Sequence, residues 1–299
     1  MTDQMPKTSK VKKILATRGL APKKKLGQNF LINRNIADRI VTLAGISAQD
    51  VILELGVGFG ALTGLLAERA RQVIGLEIDR GIINWQQEEG NLPANVTLLH
   101  QDIMKADFRQ LADQSGGRLR IVANLPYSIS NPLLFKLLDN QDLVAWAVLM
   151  LQKEVGQRLV AAIGTKEYGV LSVLLGASAT VTNLMTLGAA QFHPRPKVDS
   201  VVVRIEFQPV PARVAAQPPH DRHVLKKLVN AAFQQRRKTL LNGLASLDLD
   251  RQKIIELLGI VGISPQTRAE TLSPAEFVNL ATVFAKHLTP INGISTFTK

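Results

Sequence analysis

Short apolar runs alternate with longer stretches in which apolar residues recur at helical spacing. Val51–Leu55 (VILEL) is a compact apolar run ending in a glycine-rich turn, and residues 61–70 then carry apolar positions at helical spacing. That is the pattern of a strand, a tight turn and a helix. Strand-like runs return at 73–78, 96–99, 120–123 and 144–151, with helical or loop stretches between them. Such alternation predicts a parallel, doubly wound α/β sheet. Residues 201–207 form a β-branched run in proline-rich surroundings, read as a strand added after the main set. Residues 208–219 (QPVPARVAAQPP) contain four prolines and read as a linker. From Asp221 to about His287 the period is helical, which predicts a small all-helical C-terminal domain. No internal repeat is visible.

Charge changes the expected partner more than the fold. The 299 residues are 46% hydrophobic, enough for two domains, and 36 Lys+Arg against 24 Asp+Glu leave a net charge of +12. A polyanion is the natural partner of such a chain, although charge alone does not separate nucleic acid from an anionic membrane. No apolar run approaches the roughly 18 residues needed to cross a bilayer, so a cytoplasmic protein without membrane attachment is expected. The absence of cysteine excludes disulfides, thiol nucleophiles, Cys-ligated zinc and iron–sulfur clusters. The five histidines are scattered, with His220 and His223 beside the proline linker, and no metal site is expected. Between Gln4 and Ala37 there are nine Lys/Arg, including Lys23, Lys24 and Lys25, and no carboxylate. This basic arm, residues 1–25, reads as a solvated segment, a transit leader or a nucleic-acid contact.

The glycine turn Glu54-Leu-Gly56-Val-Gly58-Phe-Gly60-Ala61 follows the first main strand, where a doubly wound sheet binds its nucleotide. Glu77, at the end of the next strand, can accept hydrogen bonds from both hydroxyls of a ribose. These residues fit NAD and S-adenosylmethionine equally, because Gly56, Gly58 and Ala61 also satisfy the dinucleotide pattern. Glu54 breaks the tie. A carboxylate there would repel a pyrophosphate, whereas S-adenosylmethionine carries an amino group and a sulfonium cation. Asp102, after the third strand, is suited to accept from the cofactor's adenine amine, or simply to cap its loop.

Asn124-Leu125-Pro126-Tyr127 follows the fourth strand and carries the strongest chemical signal. An adenine N6 amine is a poor nucleophile because its lone pair is delocalised into the ring. Two acceptors binding both amine hydrogens would push the nitrogen toward an attacking geometry. The Asn124 side-chain carbonyl and the Leu125 main-chain carbonyl can serve, with Pro126 fixing the turn and adding no competing donor. Tyr127 can stack an unpaired base.

With these residues in hand, the sequence closely resembles the ribosomal RNA adenine dimethyltransferase family. The likeness covers Leu26-Gly-Gln28-Asn29-Phe30-Leu31, residues 54–63, Glu77-Ile-Asp79, Gln101-Asp102, residues 124–130 (NLPYSIS), 151–155 (LQKEV), 192–200 (FHPRPKVDS) and 233–238 (FQQRRK). One departure is Val57, where members often have proline. The resemblance implies a Rossmann-like methyltransferase domain over residues 26–210 and a helical RNA-binding domain over 211–299. It implies dimethylation of two neighbouring adenines in the hairpin loop near the 3′ end of small-subunit rRNA, within a pre-ribosomal particle, by a monomer. Carried over by motif, Gln28, Asn29, Leu31, Glu54, Gly56, Gly58, Glu77, Asp102 and Asn124 would hold S-adenosylmethionine. Phe192 would join Tyr127 in sandwiching the target base.

On a helical wheel, residues 224–241 place Lys226, Lys227, Asn230, Gln234, Arg237 and Lys238 within about a 120° arc, opposite Leu225, Leu228, Val229 and Ala232. No carboxylate occurs between Asp221 and Asp248, so this face is expected to contact RNA phosphates, as is the Lys23–Lys25 arm. Arg236 falls on the apolar side and is expected in a buried or interdomain ion pair. The rivals are an NAD-dependent dehydrogenase, a noncatalytic RNA-binding protein, and the related enzymes that methylate large-subunit rRNA.

Overall fold

The computed structural model describes residues 28–88 and 92–288. They form two compact units, one running to Val160 and resuming over Ala179–Pro211, the other made of Ala161–Ser178 and the chain from Ala212 onward.

The first unit is built on a seven-stranded sheet whose strands lie side by side in the order 96–100, 72–77, 51–55, 119–124, 144–152, 200–206 and 180–187. Its strands are β2 (Val51–Leu55), β3 (Gln72–Glu77), β4 (Val96–His100), β5 (Leu119–Asn124), β6 (Val144–Gln152), β7 (Thr180–Leu187) and β9 (Ser200–Glu206). The first five named are mutually parallel, and β9 runs antiparallel between β6 and β7. This is the Rossmann-like doubly wound sheet that the hydrophobic pattern predicts. All five residues of β2 are buried, as expected of a strand covered on both faces. From β2 the chain builds outward to β3 and β4, then returns to place β5 on the other side of β2. That reversal opens a crevice at the carboxyl ends of β2 and β5, the usual ligand position in such sheets.

Three strands escape the hydrophobic pattern. Strand β7 is an edge strand, mostly exposed or half-buried, with a register shift between Asn183 and Met185, so its apolar alternation is weak. Strands β1 (Phe30–Leu31) and β8 (Phe192–His193) are two residues each and pair only with one another. The helix after the glycine turn is also shorter than its apolar spacing suggests, spanning Thr63–Ala67.

The second unit contains the helices Val170–Gly176, Arg222–Gln234, Leu240–Leu244, Arg251–Ile260 and Pro274–Phe284. Residues 161–178 pack here and not with the sheet, so the helical unit takes in a segment from within the expected 26–210 stretch. The cause is Tyr168, buried in the helical unit, whose hydroxyl donates to the Leu272 carbonyl at 2.8 Å and whose ring meets Phe233 edge-on. Gly176 also lies so close to Pro274 that a Cβ would sit 2.6 Å from the ring. The expected N-terminal arm, with Lys23, Lys24 and Lys25, lies outside the described residues. No described helix is long and apolar enough to cross a membrane.

Candidate active site

The crevice at the carboxyl ends of β2, β3 and β5 is a single pocket. Its lining includes Gln28, Asn29 and Leu31, then Glu54, Gly56 and Gly58, and further Glu77, Asp102 and Asn124. All nine residues expected to hold a cofactor are thus brought together.

The glycine turn is shaped by close approaches. Gly58 has φ +54°, and a Cβ on it would stand 3.2 Å from the Phe30 ring, so the N-terminal segment can lie directly over the turn. Phe30 packs on Phe59 with the rings tilted and their centres 4.6 Å apart, Phe59 meets Trp85 edge-on in turn, and this aromatic cluster holds the segment down. At Gly75 a Cβ would stand 2.5 Å from Val57 Cγ2, so β3 must be bare where the turn crosses it. Val57 donates its main-chain N–H to the Leu76 carbonyl at 3.3 Å, a bond that a proline at this position would lack. The buried Gln86 amide donates to the Gly58 carbonyl at 2.8 Å, a support that neither spacing nor motif identifies.

Two carboxylates sit inside this shell with different fates. Glu77 is 5% exposed and well satisfied, accepting from the main-chain N–H groups of Gly58 at 2.9 Å, Ile78 at 2.9 Å and Asp79 at 2.8 Å. Burial raises its pKa and those three bonds oppose the rise. Glu54 is 1% exposed, and its Oε2 has no hydrogen-bond partner among the described residues. Burial pushes its pKa up to about 8, with the nearby Thr63 hydroxyl opposing and the Glu77 charge adding. Thr63 Oγ1 is itself without a hydrogen-bond partner among the described residues. An unpaired buried carboxylate oxygen on a pocket wall is costly and fits a cation arriving from the pocket.

Asp102 turns its loop by accepting the Met104 N–H on Oδ1 at 2.8 Å. Ile78, next to Glu77, and Ile103, next to Asp102, add apolar walls. Sequence reading misses both, because a lone Ile after a strand has no distinguishing spacing.

Asn124 ends β5 and donates its side-chain Nδ2 to the Asn29 carbonyl at 3.0 Å. That bond fixes the amide, leaving the side-chain carbonyl as its acceptor end. Leu125 is buried, so what it can offer is its main chain, and Pro126 lines the pocket. Tyr127 is half-buried beside them, with its hydroxyl 2.7 Å from the fully buried Ser200 Oγ. Burial raises the Tyr127 pKa and the Ser200 bond opposes this. Ser200 belongs to the 192–200 motif, but only the fold reveals that it meets Tyr127.

Phe192 departs from expectation. It is 3% exposed and belongs to an apolar core that includes Leu31, Ile40, Val41, Leu187 and Val202. Strand β8 pairs with β1, Leu31 opposite Phe192 and Phe30 opposite His193, and this pairing commits the Phe192 ring to the core. Phe192 therefore supports the N-terminal segment from beneath and does not line the pocket.

The basic face of the helical unit is also redrawn. The helix ends at Gln234, because Gln235 leaves helical geometry with φ −123° and ψ 74°. Lys226, Lys227, Asn230 and Gln234 share one side of it, whereas Arg237 and Lys238 are exposed in the turn that follows. The cause is local. Arg236 donates to the carbonyls of Thr165 at 3.1 Å and Tyr168 at 3.0 Å and pairs with Glu270 at 3.5 Å. Beyond the turn, Leu240 N–H is taken by the Thr267 carbonyl. The expected Arg236 ion pair exists, but it is partly exposed and lies within the helical unit.

Known proteins resemble this chain over most of its length. Residues 19–286 match the family described as ribosomal RNA adenine dimethylase. The ribosomal RNA small subunit methyltransferase A of Desulfotalea psychrophila is 44% identical over 90% of this chain and 93% of its own. That of Geobacter metallireducens is 43% identical over 88% and 95%. Among solved structures, a dimethyladenosine transferase from Plasmodium falciparum superposes with a TM-score of 0.68 at 27% identity, over 85% of this chain and 96% of that one. The chain belongs to the ribosomal RNA adenine dimethylase family.

Proposed function

We propose that the protein uses S-adenosylmethionine to dimethylate the N6 amines of two adjacent adenines in the hairpin loop near the 3′ end of small-subunit rRNA. The observation that carries this reading is the Asn124 amide, held by its Nδ2 bond to Asn29 so that its carbonyl is left as an acceptor at the pocket. Together with the Leu125 main-chain carbonyl it can take both hydrogens of an adenine amine, keeping the nitrogen lone pair out of the ring. Pro126 introduces no donor to compete. The Tyr127 ring, steadied through its hydroxyl by Ser200, offers a face for the unpaired base.

The cofactor assignment rests on charge. Glu54 Oε2 suits an ammonium group and repels a pyrophosphate, so it favours S-adenosylmethionine over NAD. When bound, S-adenosylmethionine supplies an electrophilic methyl group. Glu77 retains lone pairs beyond its three backbone bonds and can accept from ribose hydroxyls, and Asp102 can accept from the cofactor adenine. In the helical unit, Lys226, Lys227, Arg237 and Lys238 are suited to phosphates of the rRNA within a pre-ribosomal particle. The test is to incubate the protein and S-adenosylmethionine with ribosomal subunits lacking the modification and to map methylated adenines. Two adjacent dimethyladenines near the small-subunit 3′ end are expected. Methylation confined to large-subunit rRNA would overturn the assignment.

A further inference from the structure

Lys136 sits outside the pocket and belongs to none of the motifs discussed above. It lies on the helix Ser130–Asp139, which begins directly after the Asn124–Ile129 loop. Its ammonium donates to the Met104 carbonyl at 2.9 Å and the Ala106 carbonyl at 2.6 Å, and stands 4.9 Å from the centre of the Phe108 ring. Asp102 is anchored to the same short loop from its other side. Its Oδ1 accepts the Met104 N–H, and its main-chain carbonyl accepts from Lys105 at 3.0 Å and Ala106 at 2.9 Å. Residues 102–106 are therefore pinned twice, once by Asp102 and once by a lysine from the helix that follows the chemistry loop.

We propose that Lys136 is a positioning residue that holds Asp102 in register for the exocyclic amine of the cofactor's adenine. The inference rests on the S-adenosylmethionine reading given above. A partly buried ammonium is unfavourable unless its donors are used, and here two main-chain carbonyls use them. Burial lowers the Lys136 pKa, while the Asp102 and Asp107 charges oppose the fall. Met104 N–H bonds Asp102 and Met104 C=O bonds Lys136, so the two faces of one residue link the lysine to the carboxylate. Loss of the ammonium would leave the Met104 and Ala106 carbonyls unsatisfied in a half-buried place and free the loop to shift by the few tenths of an ångström that hydrogen-bond selectivity cannot tolerate.

The test compares two ligands by calorimetry on the full chain: S-adenosylhomocysteine, and its analogue whose purine lacks the exocyclic amine. A hydrogen bond to a carboxylate should make the wild-type protein prefer the adenine form by roughly tenfold or more. In Lys136→Met that preference should fall several-fold, mostly by loss of affinity for the adenine form. Lys136→Arg, which keeps donors and charge, should retain most of it. General destabilisation would weaken both ligands together and leave their ratio intact, so an unchanged ratio in Lys136→Met overturns the proposal. Should Lys136→Met fail to fold, the same ratio is read in Lys136→Gln with the same two outcomes. If wild type prefers neither form, the Asp102 contact is wrong and the inference falls with it. If wild type binds neither ligand, the cofactor reading itself fails.

Discussion

The pocket of the α/β unit and the basic segment of the helical unit are both rich in ionisable residues, yet they are built on opposite principles. In the pocket, Glu77 is buried and held by three main-chain N–H groups, half-buried Asp102 is held by its turn, and buried Glu54 keeps one oxygen unpartnered among the described residues. In the basic segment, Arg237 and Lys238 are exposed, and the neighbouring Arg236 is tied to the carbonyls of Thr165 and Tyr168 and to Glu270. Burial makes residue type and position non-negotiable, because a misplaced buried charge costs several kcal/mol. Exposure leaves the same charges free to be placed by the chain's turns with little energetic consequence.

The largest effect should come from Asn124→Ala, which removes an oriented acceptor at the proposed reacting nitrogen. N6 methylation should fall at least about 10²-fold while the protein folds and binds rRNA. Cofactor affinity should also drop slightly, since the Asn124 bond to the Asn29 carbonyl is lost. Turnover within about tenfold of wild type would sink the acceptor mechanism. Next is Glu77→Ala, expected to weaken S-adenosylhomocysteine binding by on the order of 2–4 kcal/mol through loss of charge-assisted bonds. Because the alanine also strips acceptors from Gly58, Ile78 and Asp79, Glu77→Gln gives the cleaner measurement of the ribose contact. Unchanged calorimetric affinity in both would remove Glu77 from the site.

A smaller effect tests the unpaired carboxylate. The Glu54 pKa is raised to about 8 in the folded protein, with Thr63 and Glu77 as the groups facing it. Between its ordinary value and that point the folded state holds a proton that the unfolded state has released, so this group's contribution to stability declines as pH rises through the window. A cationic ligand favours the carboxylate, so binding below pH 8 should release a proton. Affinity for S-adenosylhomocysteine should therefore rise with pH, by at most about tenfold per unit, and level off above about 8. Glu54→Gln should flatten that rise; a profile identical in the two proteins would mean that Glu54 does not meet the cation.

How much could be foreseen follows the same division. The strands β2, β3, β5 and β6 stand out in the sequence because burial demands continuous apolar runs, and Glu54, Glu77, Asp102 and Asn124 stand out because each lies at or just beside a strand end. Phe192 is misjudged because a stiff proline loop says nothing about which way a ring turns; the β1–β8 pairing decides that, and it joins Phe192 to Leu31, 161 positions away (192 − 31). The basic helix is drawn too long because Lys and Arg have no preference for stopping at Gln234. The stop is imposed by carbonyls at 165 and 168, far away in sequence. Lys136 is invisible for the same reason, as its partners lie 32 and 30 residues upstream.

The smallest effect on the chemistry should come from the basic segment, and the corrected helix end sharpens what to change there. Replacing Lys227, Arg237 and Lys238 with Glu alters one residue on the helix and two in the turn after it, leaving the Arg236 anchor in place. Phosphate contacts position a substrate and each contributes to the salt dependence of binding through released counterions. The triple variant should raise the apparent KM for ribosomal subunits by roughly tenfold at moderate salt and flatten the salt dependence of binding. Affinity for S-adenosylhomocysteine should be unchanged, and turnover at saturating subunits should fall little. Arg236→Ala should behave differently from its neighbours, lowering thermal stability through the unsatisfied Thr165 and Tyr168 carbonyls and the unpaired Glu270. If the triple variant binds subunits normally at physiological salt, the turn is a solvated surface, and the Lys23–Lys25 arm becomes the place to look for the RNA contact.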